Sequence, residues 1–312
     1  MKNEQIREEQ RQMKTIGLIG LGKMGINIIQ NMKNNSYDPI GYDIKQTEYA
    51  FLAAKNIKTA QSLDELIINL PKPRYIMLLV PTGEITEKVF SEVIEKLAPD
   101  DCVIDAGNSF YQDSIRRSSI ASEKGIHFVD CGTSGGWNGA LKGSCLMVGG
   151  KLEVIKVLTP FFESLAVEDG FLHTGPVGSG HYAKMIHNGI EYGMMQALAE
   201  GYEILYNSEF NYNLAKISHL WNRGSVIRSW LIELMAETFH NDPTLDNLKG
   251  VMNMNGEGLW TVQEALTQGT PAPIIALSVI MRQRSQQNDT FAGKVVAALR
   301  FAFGGHDIVK NK

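Results

Sequence analysis

Cysteine is scarce in this chain: Cys102, Cys131 and Cys145 are the only three in 312 residues, with no CxxC pair among them. A disulfide framework and a zinc ribbon are thereby excluded, and reduced thiols in a cytoplasmic protein are the expectation. The seven histidines show no HxH or HxxxH spacing, so no metal is expected. Excess positive charge is missing as well. Thirty Lys and Arg against 34 Asp and Glu leave a formal net charge of −4. No broad basic stripe can form to neutralise a phosphate backbone, which argues against a nucleic-acid partner. No apolar run is long enough to cross a bilayer; residues 272–281 fall well short, so no membrane partner is expected. Residues 1–13 are polar, without the apolar stretch of a signal peptide, and read as an N-terminal extension. Short internal repeats are absent too.

What is present is ordinary globular chemistry, 44% hydrophobic and 21% charged, in a chain long enough for two domains. The first half alternates short apolar runs with helical patterns. Residues 15–19, 39–42, 75–80, 102–104, 126–129, 146–148 and 171–173 read as strands, and residues 24–34 as the first crossover helix. That alternation predicts an α/β fold, a Rossmann-type doubly wound sheet with extra strands, over residues 14–178. After Gly175-Pro176-Val177-Gly178 the pattern turns helical, broken near Asn241-Asp242-Pro243 and Thr270-Pro271-Ala272-Pro273. An all-α domain is expected over residues 179–312.

The first strand runs into Gly20-Leu21-Gly22-Lys23-Met24-Gly25 and then a helix. This spacing suits a dinucleotide. The first glycine makes the tight turn, the second lets a pyrophosphate approach the backbone, and the third lets helix and strand pack closely. The helix start adds free N–H groups and a positive dipole end. Asp43 closes the second strand, where a carboxylate accepts both ribose hydroxyls and repels a 2′-phosphate. NAD is therefore expected, with NADP the alternative because Lys45 lies nearby.

A second pattern carries the chemistry. If residues 179–206 are helical, Lys184, Asn188 and Glu191 fall at i, i+4 and i+7, on one face with His187 and Tyr192 along the stripe. A base, an amide and an acid then share one line, set among Met185, Ile186, Ile190, Met194 and Met195. Two glycine-containing turns, Asp105-Ala106-Gly107-Asn108-Ser109 and Cys131-Gly132-Thr133-Ser134-Gly135-Gly136, belong at carboxyl ends of strands, where open sheets bind ligands. Each could equally be a turn with local side-chain capping.

Taken together these segments resemble decarboxylating 6-phosphogluconate dehydrogenase in its shorter form, within the β-hydroxyacid dehydrogenase superfamily, from Thr15 to His306. The run Lys184-Met185-Ile186-His187-Asn188-Gly189-Ile190-Glu191-Tyr192 is its most specific carrier. The resemblance implies Lys184 as the base that takes the 3-hydroxyl proton, a role that needs a lowered lysine pKa. It implies Glu191 as the acid toward C1, with Asn188 and His187 orienting 6-phosphogluconate. Asn108, Ser134, Gly135, Gly136 and Thr261 would line the substrate site, and Tyr192, Arg282, Arg300 and His306 would serve the phosphate. Arg300 and His306 would do so from the partner subunit's tail, in a homodimer or higher homo-oligomer. Gly20, Leu21, Gly22, Lys23, Met24, Gly25, Asp43, Val80 and Asn108 would hold the cofactor. The chain departs from the family at Gly256-Glu257-Gly258-Leu259-Trp260-Thr261, where leucine stands in place of a basic residue. The Asn-Arg-Thr triplet of NADP-using long forms is also missing. Another β-hydroxyacid dehydrogenase, or a nucleotide-sensing protein without chemistry, is the competing reading.

Overall fold

The structure is a computed structural model that describes residues 14–310; the extension over residues 1–13 lies outside the described residues. Among the described residues eight strands form one sheet: β1 (Gly17–Ile19), β2 (Ile40–Tyr42), β3 (Lys58–Thr59), β4 (Tyr75–Leu78), β5 (Cys102–Asp105), β6 (His127–Ser134), β7 (Ser144–Gly149) and β8 (Ala166–Gly175). Their order is β3-β2-β1-β4-β5-β6-β7-β8, and every pairing is parallel except β6 with β7. The order reverses at β1, which puts a crevice at the carboxyl ends of β1 and β4. Between the strands lie α1 (Lys23–Asn34), α2 (Tyr49–Ala54), α3 (Leu63–Asn69), α4 (Glu84–Ile94), α5 (Tyr111–Glu123), α6 (Gly136–Lys142) and α7 (Leu152–Leu165).

Strand alternation sorts the core onto two faces. Met77, Ile104 and Val129 pack with Ile28, Ile29 and Met32 of α1 on one side. Ile76, Leu78, Val103 and Phe128 pack with Phe90 and Val93 of α4 on the other. Both faces of the parallel strands are covered, which is why these runs read as continuously apolar.

The helical remainder is α8 (Ser179–Tyr206), α9 (Leu214–Trp221), α10 (Trp230–Asn241), α11 (Glu257–Gln268), α12 (Pro273–Ser285) and α13 (Phe291–Gly304). The chain divides into two compact units between His187 and Asn188, inside α8. The second unit has a small core of Tyr202, Leu214 and Phe239. None of the residues of α13 is buried, and Phe291, Leu299, Phe301 and Phe303 on it are exposed. No described helix is long and apolar enough to cross a membrane.

Candidate active site

The glycine loop between β1 and α1 has the geometry its spacing implies. Gly20 sits at φ 99°, a conformation that side-chain-bearing residues rarely adopt. A Cβ on Gly25 would run into the carbonyl oxygen of Gly20, so the third glycine is what lets α1 start so close to the strand. Gly22 caps α1 without a side chain, and a Cβ there would meet nothing within 4 Å. The start of α1 is thus left uncapped by any side chain, which fits a pyrophosphate. Leu21 is buried, Lys23 is exposed, and Met24 packs half-buried against the core beside the sheet. Asp43 follows β2, and its two oxygens accept from the backbone N–H of Leu21 and of Lys45, each at 2.8 Å. The carboxylate is thereby fixed beside the loop. Val80, just past β4, flanks Gly20.

The turn after β5 is built around a buried ion pair. Arg117 of α5 donates to Asp105 at 2.7 Å and to Ser109 Oγ at 3.1 Å, and it also reaches Glu87 at 2.6 Å. Asp105 accepts from Ser109 Oγ at 2.8 Å and from the Gly107 N–H at 3.2 Å. Asn108 is left exposed at the tip of this braced turn. Burial alone would push the Glu87 carboxyl up, but hydrogen bonds from Arg116 and Arg117 hold it below the usual carboxylate range.

Helix α8 is anchored in the first unit by its start. Asp130 on β6 accepts from the N–H groups of Gly178 and His181 at 2.7 and 2.8 Å, satisfying donors that a helix start leaves open. His181 Nδ1 meets Ser114 Oγ at 2.7 Å, and the Tyr182 ring packs edge-on against Tyr111. A Cβ on Gly132 would overlap Lys184, so that glycine lets the lysine side chain lie against β6. Lys184 is 7% exposed. One turn later His187 Nε2 lies 3.1 Å from Ser134 Oγ, with Gly135 and Gly136 following at the end of β6. Lys184, His187 and Ser134 are thus gathered in this unit. Burial pushes the thiol of Cys131, on the same strand, up to about 12, which disfavours its thiolate.

The second unit arranges its own group. Asn188 is buried and donates to Glu257 at 2.5 Å. Tyr192 is buried, gives its hydroxyl hydrogen to Asn255 at 3.1 Å, and lies under the Arg282 guanidinium at 3.5 Å from the ring centroid. Thr261 is buried on α11 against Gly189, and its hydroxyl donates to the carbonyl of Glu257 at 2.9 Å. Glu191 is half-buried on α8. Arg300 is exposed on α13, and His306 beyond it packs edge-on against Phe303. Neither is gathered into this group by the contacts described.

Asp130, Arg117 and Glu257 are among the participants not singled out from sequence. Asp130 had a signal, an acid inside the apolar run Phe128-Val129-Asp130-Cys131, which demands a buried partner. Arg117 and Glu257 had none: neither stands in an apolar run, and their contacts to Glu87 and Asn188 span 30 and 69 residues. Among the described residues no group of three or more His, Cys, Asp or Glu could hold a metal.

Comparison with known proteins shows the family. Residues 15–175 match the family described as the NAD binding domain of 6-phosphogluconate dehydrogenase, and residues 180–302 its C-terminal domain. YqeC of Bacillus subtilis, named only provisionally as a 6-phosphogluconate dehydrogenase, is 50% identical over 95% of this chain and 99% of its own. The NAD(+)-dependent, decarboxylating 6-phosphogluconate dehydrogenase of Haloferax volcanii is 37% identical, covering 95% of this chain and 99% of its own. The Plasmodium falciparum 6-phosphogluconate dehydrogenase, solved with NADP+ and with 6-phosphogluconate, superposes with a TM-score of 0.80 at 30% identity. That match covers 95% of this chain and 66% of the solved one.

Proposed function

The chain belongs to the 6-phosphogluconate dehydrogenases, and on that premise we propose that it oxidises and decarboxylates 6-phosphogluconate to ribulose 5-phosphate and CO2 with NAD. The observation that carries this reading is α8 itself, one unbroken helix that bears Lys184, Asn188 and Glu191 at successive turns.

A bound nicotinamide cofactor supplies the hydride acceptor. Lys184, neutral at the outset, takes the proton of the substrate 3-hydroxyl as C3 is oxidised. Its removal from water is the condition under which an amine serves as a base near neutral pH. The resulting 3-keto acid breaks its bond to the carboxylate, and Lys184 returns its proton to the ketone oxygen, giving CO2 and an enediol. Glu191 then protonates C1 while Lys184 removes the enol proton, which leaves ribulose 5-phosphate. Asn188, His187 and Ser134 hold the hydroxyls and carboxylate. Tyr192 and Arg282 receive the phosphate, for which a guanidinium has suitable geometry.

Asp43 supports NAD over NADP: its carboxylate, pinned beside the loop, would meet a 2′-phosphate with like charge. Reduced thiols suit a cytoplasmic location. Initial rates on 6-phosphogluconate test the reading. Turnover is expected with kcat/KM for NAD at least about tenfold above that for NADP, about the effect of one unfavourable charge contact. Turnover of a small hydroxyacid such as 3-hydroxyisobutyrate, with none of 6-phosphogluconate, would overturn it.

The unburied apolar face of α13 supports a homodimer or higher oligomer in which Arg300 and His306 complete the partner subunit's phosphate site. Arg300→Ala is then expected to raise the KM for 6-phosphogluconate about tenfold, the equivalent of a charge-assisted hydrogen bond, and to leave the KM for NAD as it was. An unchanged substrate KM removes Arg300 from the site.

A further inference from the structure

An asparagine presents a donor and an acceptor of nearly the same shape, so its role depends on which way its amide is turned. In this chain a carboxylate settles that for Asn188. Glu257, the first residue of α11, is 2% exposed. A single oxygen, Oε2, accepts from Asn188 Nδ2 at 2.5 Å and from Asn255 Nδ2 at 2.6 Å. In both contacts the amide turns its nitrogen toward the carboxyl, which directs Asn188 Oδ1 away from Glu257. The start of α11 is also the end of a helix that favours negative charge.

The same carboxylate reaches the phosphate side of the group. Asn255, with its nitrogen committed to Glu257, has its oxygen available to the Tyr192 hydroxyl, and it accepts there at 3.1 Å. Tyr192 in turn carries the Arg282 guanidinium on its ring. Two residues assigned to the substrate, Asn188 and Tyr192, thus take their orientation from one buried acid.

We infer that Glu257 is a positioning residue of the dehydrogenase reaction, committing Asn188 to act as a hydrogen-bond acceptor toward the substrate and setting Tyr192 through Asn255. The inference rests on the reading given under Proposed function. It makes a specific demand on residue 188: the side chain must present an oxygen to the substrate while remaining bonded to residue 257.

Exchanging donor and acceptor across this pair tests that demand. In Glu257→Gln the new side chain offers either an oxygen or a nitrogen, so the Asn188 amide is no longer held one way. The kcat with 6-phosphogluconate is expected to fall about tenfold, the equivalent of one hydrogen bond, with the KM for NAD and the melting temperature little changed. In Asn188→Asp two carboxylates meet in a buried place, and kcat is expected to fall about 100-fold or more. In the double variant N188D/E257Q the glutamine nitrogen can donate to the aspartate, whose second oxygen keeps the acceptor role. Its kcat is expected to rise at least about tenfold above that of N188D, a coupling that independent sites do not show. Wild-type kcat in E257Q, or a double variant no faster than N188D, overturns the inference. A fall in melting temperature with kcat unchanged assigns Glu257 to stability alone and overturns it too. A wild-type protein inactive on 6-phosphogluconate is a different result: it removes the proposed function before any variant is compared.

Discussion

Replacing Lys184 with methionine is expected to lower kcat on 6-phosphogluconate by about 10²–10⁴-fold, the range associated with loss of a general acid–base group. The substitution keeps an unbranched chain of similar volume in a buried place, so packing against β6 should survive. What disappears is the amine. In the proposed sequence that amine acts three times: it removes the hydroxyl proton, returns a proton to the ketone oxygen, and removes the enol proton. His187, one turn further along the helix, is turned to Ser134. The cofactor loop lies on separate elements, between β1 and α1. NAD affinity, measured by titration, is accordingly expected to stay within about twofold, well under the 1.4 kcal/mol that a tenfold change represents. A variant that retains more than a tenth of wild-type kcat would show that Lys184 is not the base.

Much of this layout is legible from residues because the relevant geometry is local. Gly20, Gly22 and Gly25 are spaced for a turn and a helix start, and the structure finds a positive φ at Gly20 and a forbidden Cβ at Gly25. Lys184, Asn188 and Glu191 follow the helical period, and α8 is helical across all of them. Periodicity fails where an element is too short to have any. β3 has two residues, and α2 and α3 have six and seven. It also fails where a partner is remote in sequence. Asp130 meets the start of α8 across 48 and 51 residues, and Glu257 meets Asn188 across 69. Local pattern says that a polar side chain is buried in such places, but the fold alone decides which group satisfies it.

Arg117→Met is expected to produce the largest loss of stability, about 3–5 kcal/mol, the range for breaking a buried ion pair by removing one partner. Arg117 and Asp105 side chains are each 1% exposed, and their 2.7 Å contact lies at the carboxyl end of β5. Methionine fills the space but leaves the Asp105 carboxylate with the Ser109 hydroxyl and the Gly107 N–H as its remaining described donors. At roughly 2–4 °C per kcal/mol for a unit of this size, the melting temperature should fall by about 10 °C. The loss should depend on pH with a defined sign. Glu87, which also receives Arg117, has a folded pKa below its ordinary value of 4.5. Its contribution is therefore complete above about 4.5 and disappears as pH falls through the folded value. Arg116 remains bonded to Glu87 in the variant, so only part of that contribution is removed. The gap in melting temperature between wild type and variant should be full at neutral pH and narrow below 4.5. Thermal melts across this range decide the matter: a gap under about 2 °C at neutral pH, less than 1 kcal/mol, would mean that Asp105 does not depend on Arg117. Because the pair braces the turn that carries Asn108, a residue the family resemblance assigns to the substrate site, the folded variant at low temperature is also expected to bind 6-phosphogluconate more weakly.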